Sequence, residues 1–84
     1  MYYVYVLRSG KDTRFYVGCT ANLRKRLAEH NDGKVRSTCH RIPLNLVYYE
    51  ASRNQIDALH REKYLKSTYG KRYIRNRLKQ ELSV

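Results

Sequence analysis

The sequence predicts an α+β fold, a small three-stranded antiparallel sheet flanked by helices in the order β-β-α-β-α-α. Three observations lead there. The chain opens on a β-branched and aromatic run, Tyr2-Tyr3-Val4-Tyr5-Val6-Leu7, that is apolar on both faces and so suits an interior strand covered on both sides. Turn chemistry at Ser9-Gly10-Lys11-Asp12 then sends it back through a second strand-like stretch. Farther on, leucines and isoleucines recur at helical spacing behind capping residues, with no repeat, linker or low-complexity tract between them.

The first strand is read over residues 2–8 and the returning strand over 13–19. With a four-residue loop, Arg8 faces Thr13 and Tyr5 lies opposite Tyr16, so both phenols point to one side. Gly18 shares that side and leaves room beside them, and a one-residue slip would break the arrangement. Thr20 is the expected N-cap of a helix over 21–31 that Gly33 ends. Leu23 and Leu27 form its inward stripe, and Arg26 and His30 repeat the i, i+4 spacing beside it. A basic loop over 33–43 closes at Pro43, and residues 44–50 read as the third strand. Asn54 caps a second helix running to about Thr68. Gly70 breaks it, and a third helix over 71–82 carries Ile74, Leu78 and Leu82 on one face.

The 84 residues are expected to form one domain, burying roughly 60–65% of the surface that the unfolded chain exposes. A hydrophobic content of 42% with nine tyrosines argues against disorder. Eighteen lysines and arginines against seven acidic residues give a net charge of +11, which draws polyanions and makes nucleic acid the leading partner. An anionic membrane is the weaker candidate, because no helix pairs a clean apolar face with bulky anchors and there is no tryptophan. No signal peptide or membrane span is expected, and Cys19 and Cys39 make no disulfide framework, which points to a reduced, cytoplasmic setting. The histidines and cysteines lack any Cys-x-x-Cys or His-x3-His spacing, so structural zinc is not expected.

Tyr16-Val17-Gly18, followed by Arg26 and His30, carries the chemistry. Two phenols near a cation can activate water if positive charge stabilises the phenolate; otherwise they are packing residues of a tyrosine-rich sheet. Arg26 offers a permanent charge and a fork matching phosphate oxygens, or is an exposed helix arginine. His30 either contacts phosphate or water, or ends its helix as a residue favoured by the dipole. Glu62 borders an apolar stripe of Ala58, Leu59 and Leu65; it is a ligand for Mg²⁺ or Mn²⁺, or it pairs with Lys66 or Arg61. Lys34, Arg36 and His40 in the basic loop, and Asn76 on the last helix, are candidates for binding the nucleic-acid backbone, with solvated loop and helix surface as the alternatives.

These residues resemble the GIY-YIG nuclease family. Val4-Tyr5 stands where that family's first motif has Ile-Tyr, and Tyr16-Val17-Gly18 matches its second. Asn22-Leu23, Arg26, His30 and Glu62 agree with the helices that follow. The likeness covers nearly the whole chain and matches small stand-alone members in size. It implies metal-dependent cleavage of a phosphodiester; DNA is favoured over RNA as the substrate with the choice left open, and without the extra DNA-binding domain of many family nucleases the target is expected to be chosen by structure or weakly. Tyr5 and Tyr16 would activate or position the water, Arg26 would bind the scissile phosphate, and His30 would assist. Glu62 would hold a single Mg²⁺ or Mn²⁺, and Asn76 matches a late asparagine only loosely. Tyr3 replaces the first motif's glycine. The alternatives are a binding module of the same fold without useful catalysis, and an interaction domain for an acidic partner. Oligomeric state and pathway are not legible.

Overall fold

In the computed structural model, which describes residues 1–82, β1 (Tyr2–Ser9), β2 (Phe15–Thr20) and β3 (Leu44–Ser52) form one antiparallel sheet in the spatial order β2-β1-β3. The fold class is the expected one. The doubly apolar β1 is central, and alternation along it feeds two cores. Val4 and Val6 join Val17, Ala58, Leu65 and Ile74 on one side, under the helices α2 (Gln55–Leu65) and α3 (Thr68–Arg77). Tyr5 and Leu7 join Leu44 on the other, with Tyr16, Leu46 and the inward leucines Leu23 and Leu27 of α1 (Leu23–Asn31) packed against them. Where β1 meets β3, Val6 pairs with Tyr48 but Leu7 with Leu46, so Val47 is the extra residue of a bulge.

The β1–β2 register differs from the expected one by two residues. Arg8 pairs with Phe15, Tyr5 with Gly18 and Leu7 with Tyr16. The cause is a longer turn held by Ser9: its hydroxyl accepts from the amides of Lys11 (3.0 Å) and Asp12 (3.2 Å), and it donates to the Arg41 carbonyl (2.6 Å). An even shift preserves the facing of every side chain, so Tyr5 and Tyr16 still share a side.

Two helix boundaries also move. Asn22, not Thr20, caps α1, accepting from the Lys25 amide at 3.1 Å, because Thr20 is still paired with Tyr3 in the sheet. Asn54 caps α2 as expected, but α2 ends at Leu65 rather than near Thr68. Ser67 then caps α3 by accepting from the Gly70 amide at 3.2 Å. Gly70 is therefore inside a helix instead of breaking one. A Cβ there would collide with the backbone of Tyr64 and Leu65, so glycine is what lets the two helices meet end to end. The last helix of the sequence reading divides at Leu78, the C-cap of α3, before the short α4 (Lys79–Leu82).

The loop over 32–43 is fastened at both ends. Asn31 imitates a strand partner for Leu44, its side chain donating to the Leu44 carbonyl (2.9 Å) and accepting from the Leu44 amide (2.8 Å). Arg41 reaches Asp12 at 2.7 Å in the β1–β2 turn, and that contact first, then the Arg14 amide, lowers the Asp12 carboxyl to about 2.

Helix propensity alone makes Gly70→Ala stabilising by about 1 kcal/mol. The backbone collision outweighs it, at roughly 1–3 kcal/mol for overpacking, so the substitution is expected to lower the denaturant midpoint. Urea unfolding followed by circular dichroism checks the sign.

Candidate active site

The site is built on β1 and the edge strand β2. Gly18 faces Tyr5 across the pair, and a Cβ at Gly18 would overlap the tip of the Tyr5 ring and its hydroxyl. The absent side chain is filled by the phenol. Tyr16, one pair along on the same side, is half-buried, and its ring centroid lies 6.5 Å from that of Tyr5.

His30 closes the cluster from the last turn of α1. Its ring meets Tyr16 edge-on at 5.1 Å and Tyr5 at 5.6 Å. His30 stands at the helix end, as one of its two expected readings had it, and is fully buried there: Nε2 lies 2.8 Å from the Tyr5 hydroxyl and Nδ1 lies 2.8 Å from Thr38 Oγ1. Donor bookkeeping assigns the protons. Toward His30 the Thr38 hydroxyl accepts, because its own proton goes to the Val35 carbonyl, so Nε2 of the neutral ring is bare and takes the phenol's proton. Nδ1 then carries the imidazole hydrogen and donates to Thr38, whose hydroxyl points on to the Val35 carbonyl at 3.5 Å. Burial, followed by the Arg26 charge, lowers the His30 pKa and keeps the ring neutral. Burial likewise raises the Tyr5 phenol, against the pull of Arg26.

Arg26 is half-buried and ion-pairs with Glu29 at 3.2 Å. Glu62 stands on α2, which packs on the other side of the sheet. Its partner Lys66 nevertheless lines one recess together with Tyr16, which brings the carboxylate toward the phenol cluster at the β2 edge. It pairs with Lys66 at 3.1 Å, the i+4 partner expected of it, while Arg61 pairs instead with Glu50 at 2.9 Å. Ala58 and Leu65 flank it in the core as expected, but Leu59 is exposed.

The sequence of residues 1–79 matches the model of the GIY-YIG catalytic domain. The chain belongs to the GIY-YIG family. It is 45% identical over 67 residues to a UPF0213 protein of Clostridium perfringens, covering 79% of this chain and 71% of that one. A UPF0213 protein of Pediococcus acidilactici is 38% identical over 81 residues, covering 89% and 82%. One of Bacillus licheniformis is 42% identical over 77 residues, covering 87% and 78%. No solved structure matches the chain. GIY-YIG proteins are nucleases that act on nucleic acid and generally use a divalent metal.

In GIY-YIG terms, the second motif's glycine is explained by the Tyr5 ring, while Tyr3, in place of the first glycine, lies half-buried 6.1 Å from Tyr49. The donor set suits a small hard cation. No group of three or more histidine, cysteine or acidic side chains gathers among the described residues. A single carboxylate with water and phosphate oxygens is a donor set that Mg²⁺ or Mn²⁺ accepts, and Glu62 is the carboxylate that would provide it. The other candidates do not join this cluster. Lys34, Arg36 and His40 are exposed on the loop, and Asn76 is exposed on α3. No helix among the described residues is long and apolar enough to cross a membrane. Thr38, which locks His30, escaped the sequence reading, since nothing in a basic loop marks one hydroxyl as a partner eight residues back.

His30 titrates below its ordinary value near 6.5, so across that window the unfolded chain binds a proton that the folded one does not. Stability is therefore expected to fall as pH drops below about 6.5, ahead of the acid losses at Glu50 and Asp12, whose carboxyls are lowered from 4.5 and 3.8. Urea midpoints at pH 7.5 and pH 5.5 check this, with His30→Gln expected to flatten the difference.

Proposed function

We propose that the protein is an endonuclease that hydrolyses phosphodiester bonds in DNA, selecting by shape or weakly by sequence, with a single Mg²⁺ or Mn²⁺ held by Glu62 and residues 1–84 acting as one catalytic domain. One observation carries it: the rings of Tyr5, Tyr16 and His30 gather within 5.1–6.5 Å against the helix that carries Arg26, in a member of a nuclease family.

Tyr16 is the general base. Of the two phenols it is the half-buried one, whereas Tyr5 is only 1% exposed and its proton is already committed to His30. Tyr5 is a positioning residue: the Thr38–His30–Tyr5 chain holds its ring over Gly18 and beside Tyr16. Arg26 extends its guanidinium to the scissile phosphate, where its fixed charge stabilises the charge that develops. The divalent ion, when bound, supplies Lewis-acid stabilisation of the charge that develops on the leaving oxygen. Tyr16 takes up the proton of the attacking water and gives its own phenol proton to solvent.

A binding module without turnover is favoured by one feature, the ion pairs that occupy Arg26 and Glu62. Such exposed pairs are worth only about 0–1 kcal/mol, too little to keep a phosphate or a divalent ion away.

Glu62→Gln is expected to remove metal-dependent cleavage while leaving DNA binding in chelator nearly unchanged. Tyr16→Phe is expected to slow cleavage by about 10²–10⁴-fold. Both are read on flapped, branched and plain DNA with metal or with chelator. Undiminished metal-dependent cutting by Glu62→Gln, with contaminating nuclease excluded, overturns the assignment.

A further inference from the structure

A groove of about 860 Å³ runs between the β1–β2 turn and the last helices, away from the catalytic cluster. Arg8, Arg14 and Arg41 line one wall, and Lys71, Arg75 and Lys79 line the other. The latter three recur every fourth residue, so they stand in a row along α3 and into α4. Among the described residues, Arg14, Lys71, Arg75 and Lys79 make no ion pair, and the groove's carboxylate, Asp12, is already taken by Arg41. Unneutralised cations in a row are a surface for a row of anions.

Beside the groove lies a second recess of about 230 Å³. Its floor is the buried core, Val6 of the central strand, Val17 of the edge strand, and Leu65 and Ile74 of the two helices beneath, and its rim is Phe15 and Tyr16 of the edge strand. Phe15 and Lys71 belong to both spaces, so the recess opens onto the cationic row. Lys66 also lines the recess, and its ammonium is the one paired with Glu62 at 3.1 Å. Catalytic carboxylate, recess and groove therefore follow one another along a single face.

We propose that this face is the track for an unpaired strand of the nucleic-acid substrate. Backbone phosphates run along Lys71, Arg75 and Lys79, and one base enters the apolar recess next to Lys66. A positively charged groove interrupted by aromatic and apolar surface is the chemistry of single-strand binding, in which a base exposes a face that a duplex hides. A duplex offers phosphates to the cations but no free base to the recess. The inference rests on the nuclease reading only for its direction, toward Glu62, and it makes the favoured substrate one with a single-stranded flank at the cut.

The test is binding in chelator, so that it is independent of cleavage. Fluorescence anisotropy with dT20, rU20, an abasic 20-mer and a 20-base-pair duplex is measured over a salt series. The triple variant Lys71→Gln, Arg75→Gln, Lys79→Gln is compared with Lys25→Gln, Arg53→Gln, Lys63→Gln, which removes equal charge elsewhere. For single strands each lost phosphate contact reduces the slope of log K against log salt by about 0.7, so the groove triple is expected to lose about 2 and the control less than half of that. The abasic polymer is expected to bind at least tenfold more weakly than dT20. Preference for rU20 with the same groove dependence assigns the strand as RNA and supports the track. Equal loss of slope in both triples, or a duplex bound as tightly as dT20, overturns it, and equal binding of the abasic polymer removes the base from the recess. A wild-type protein that shows the groove dependence but never cleaves leaves the track standing and sinks the nuclease reading.

Discussion

The structure of the candidate site depends on one buried contact, the Tyr5 hydroxyl donating to His30 with the tip of the ring lying over Gly18. Tyr5 sits on the central strand, Gly18 on the edge strand and His30 on the first helix, so the contact joins three elements from separate parts of the chain. Each partner is compulsory. A side chain at position 18 would expel the ring, and a buried imidazole without partners at both nitrogens would cost about 1–3 kcal/mol for each group left unsatisfied. Thr38 completes the set, and among the described residues no buried side-chain nitrogen or oxygen lacks a partner.

This contact organises the catalytic face by placing its neighbours. With Tyr5 fixed, its ring keeps a set place beside Tyr16, and Arg26, one turn before His30 on α1, is steadied by Glu29 at 3.2 Å. The edge position of β2 matters as much. A central strand would put a neighbour between the phenol cluster and the helix carrying Glu62; an edge strand bearing a glycine leaves the carboxylate within reach although α2 packs on the opposite side. The same edge opens the apolar recess next to Lys66.

Much of this was legible in the sequence because strand and helix periods are stiff. The doubly apolar run of β1 named the central strand, Asn54 named a helix start, and the shared side of Tyr5 and Tyr16 survived a two-residue error in register because side chains alternate with period two. What was hidden depends on contacts distant in sequence. The length of the β1–β2 turn is set by Ser9 bonding to Arg41, 32 residues away. Gly70 reads as a breaker until the approach of α2 and α3 shows why no other residue fits. His30 carried no mark of complete burial, since its partner Thr38 lies in a loop without periodicity. Leu59 looked like core because helical spacing does not say where an apolar stripe ends.

The protonation pattern of His30 tests the central contact most directly. In a long-range ¹H–¹⁵N correlation spectrum at pH 7.5, a neutral ring protonated at Nδ1, with Nε2 bare and accepting from Tyr5, is the expected result. Tyr5→Phe should perturb the Nε2 resonance and Thr38→Val the Nδ1 resonance. A ring protonated at Nε2, or an imidazolium at that pH, contradicts the account.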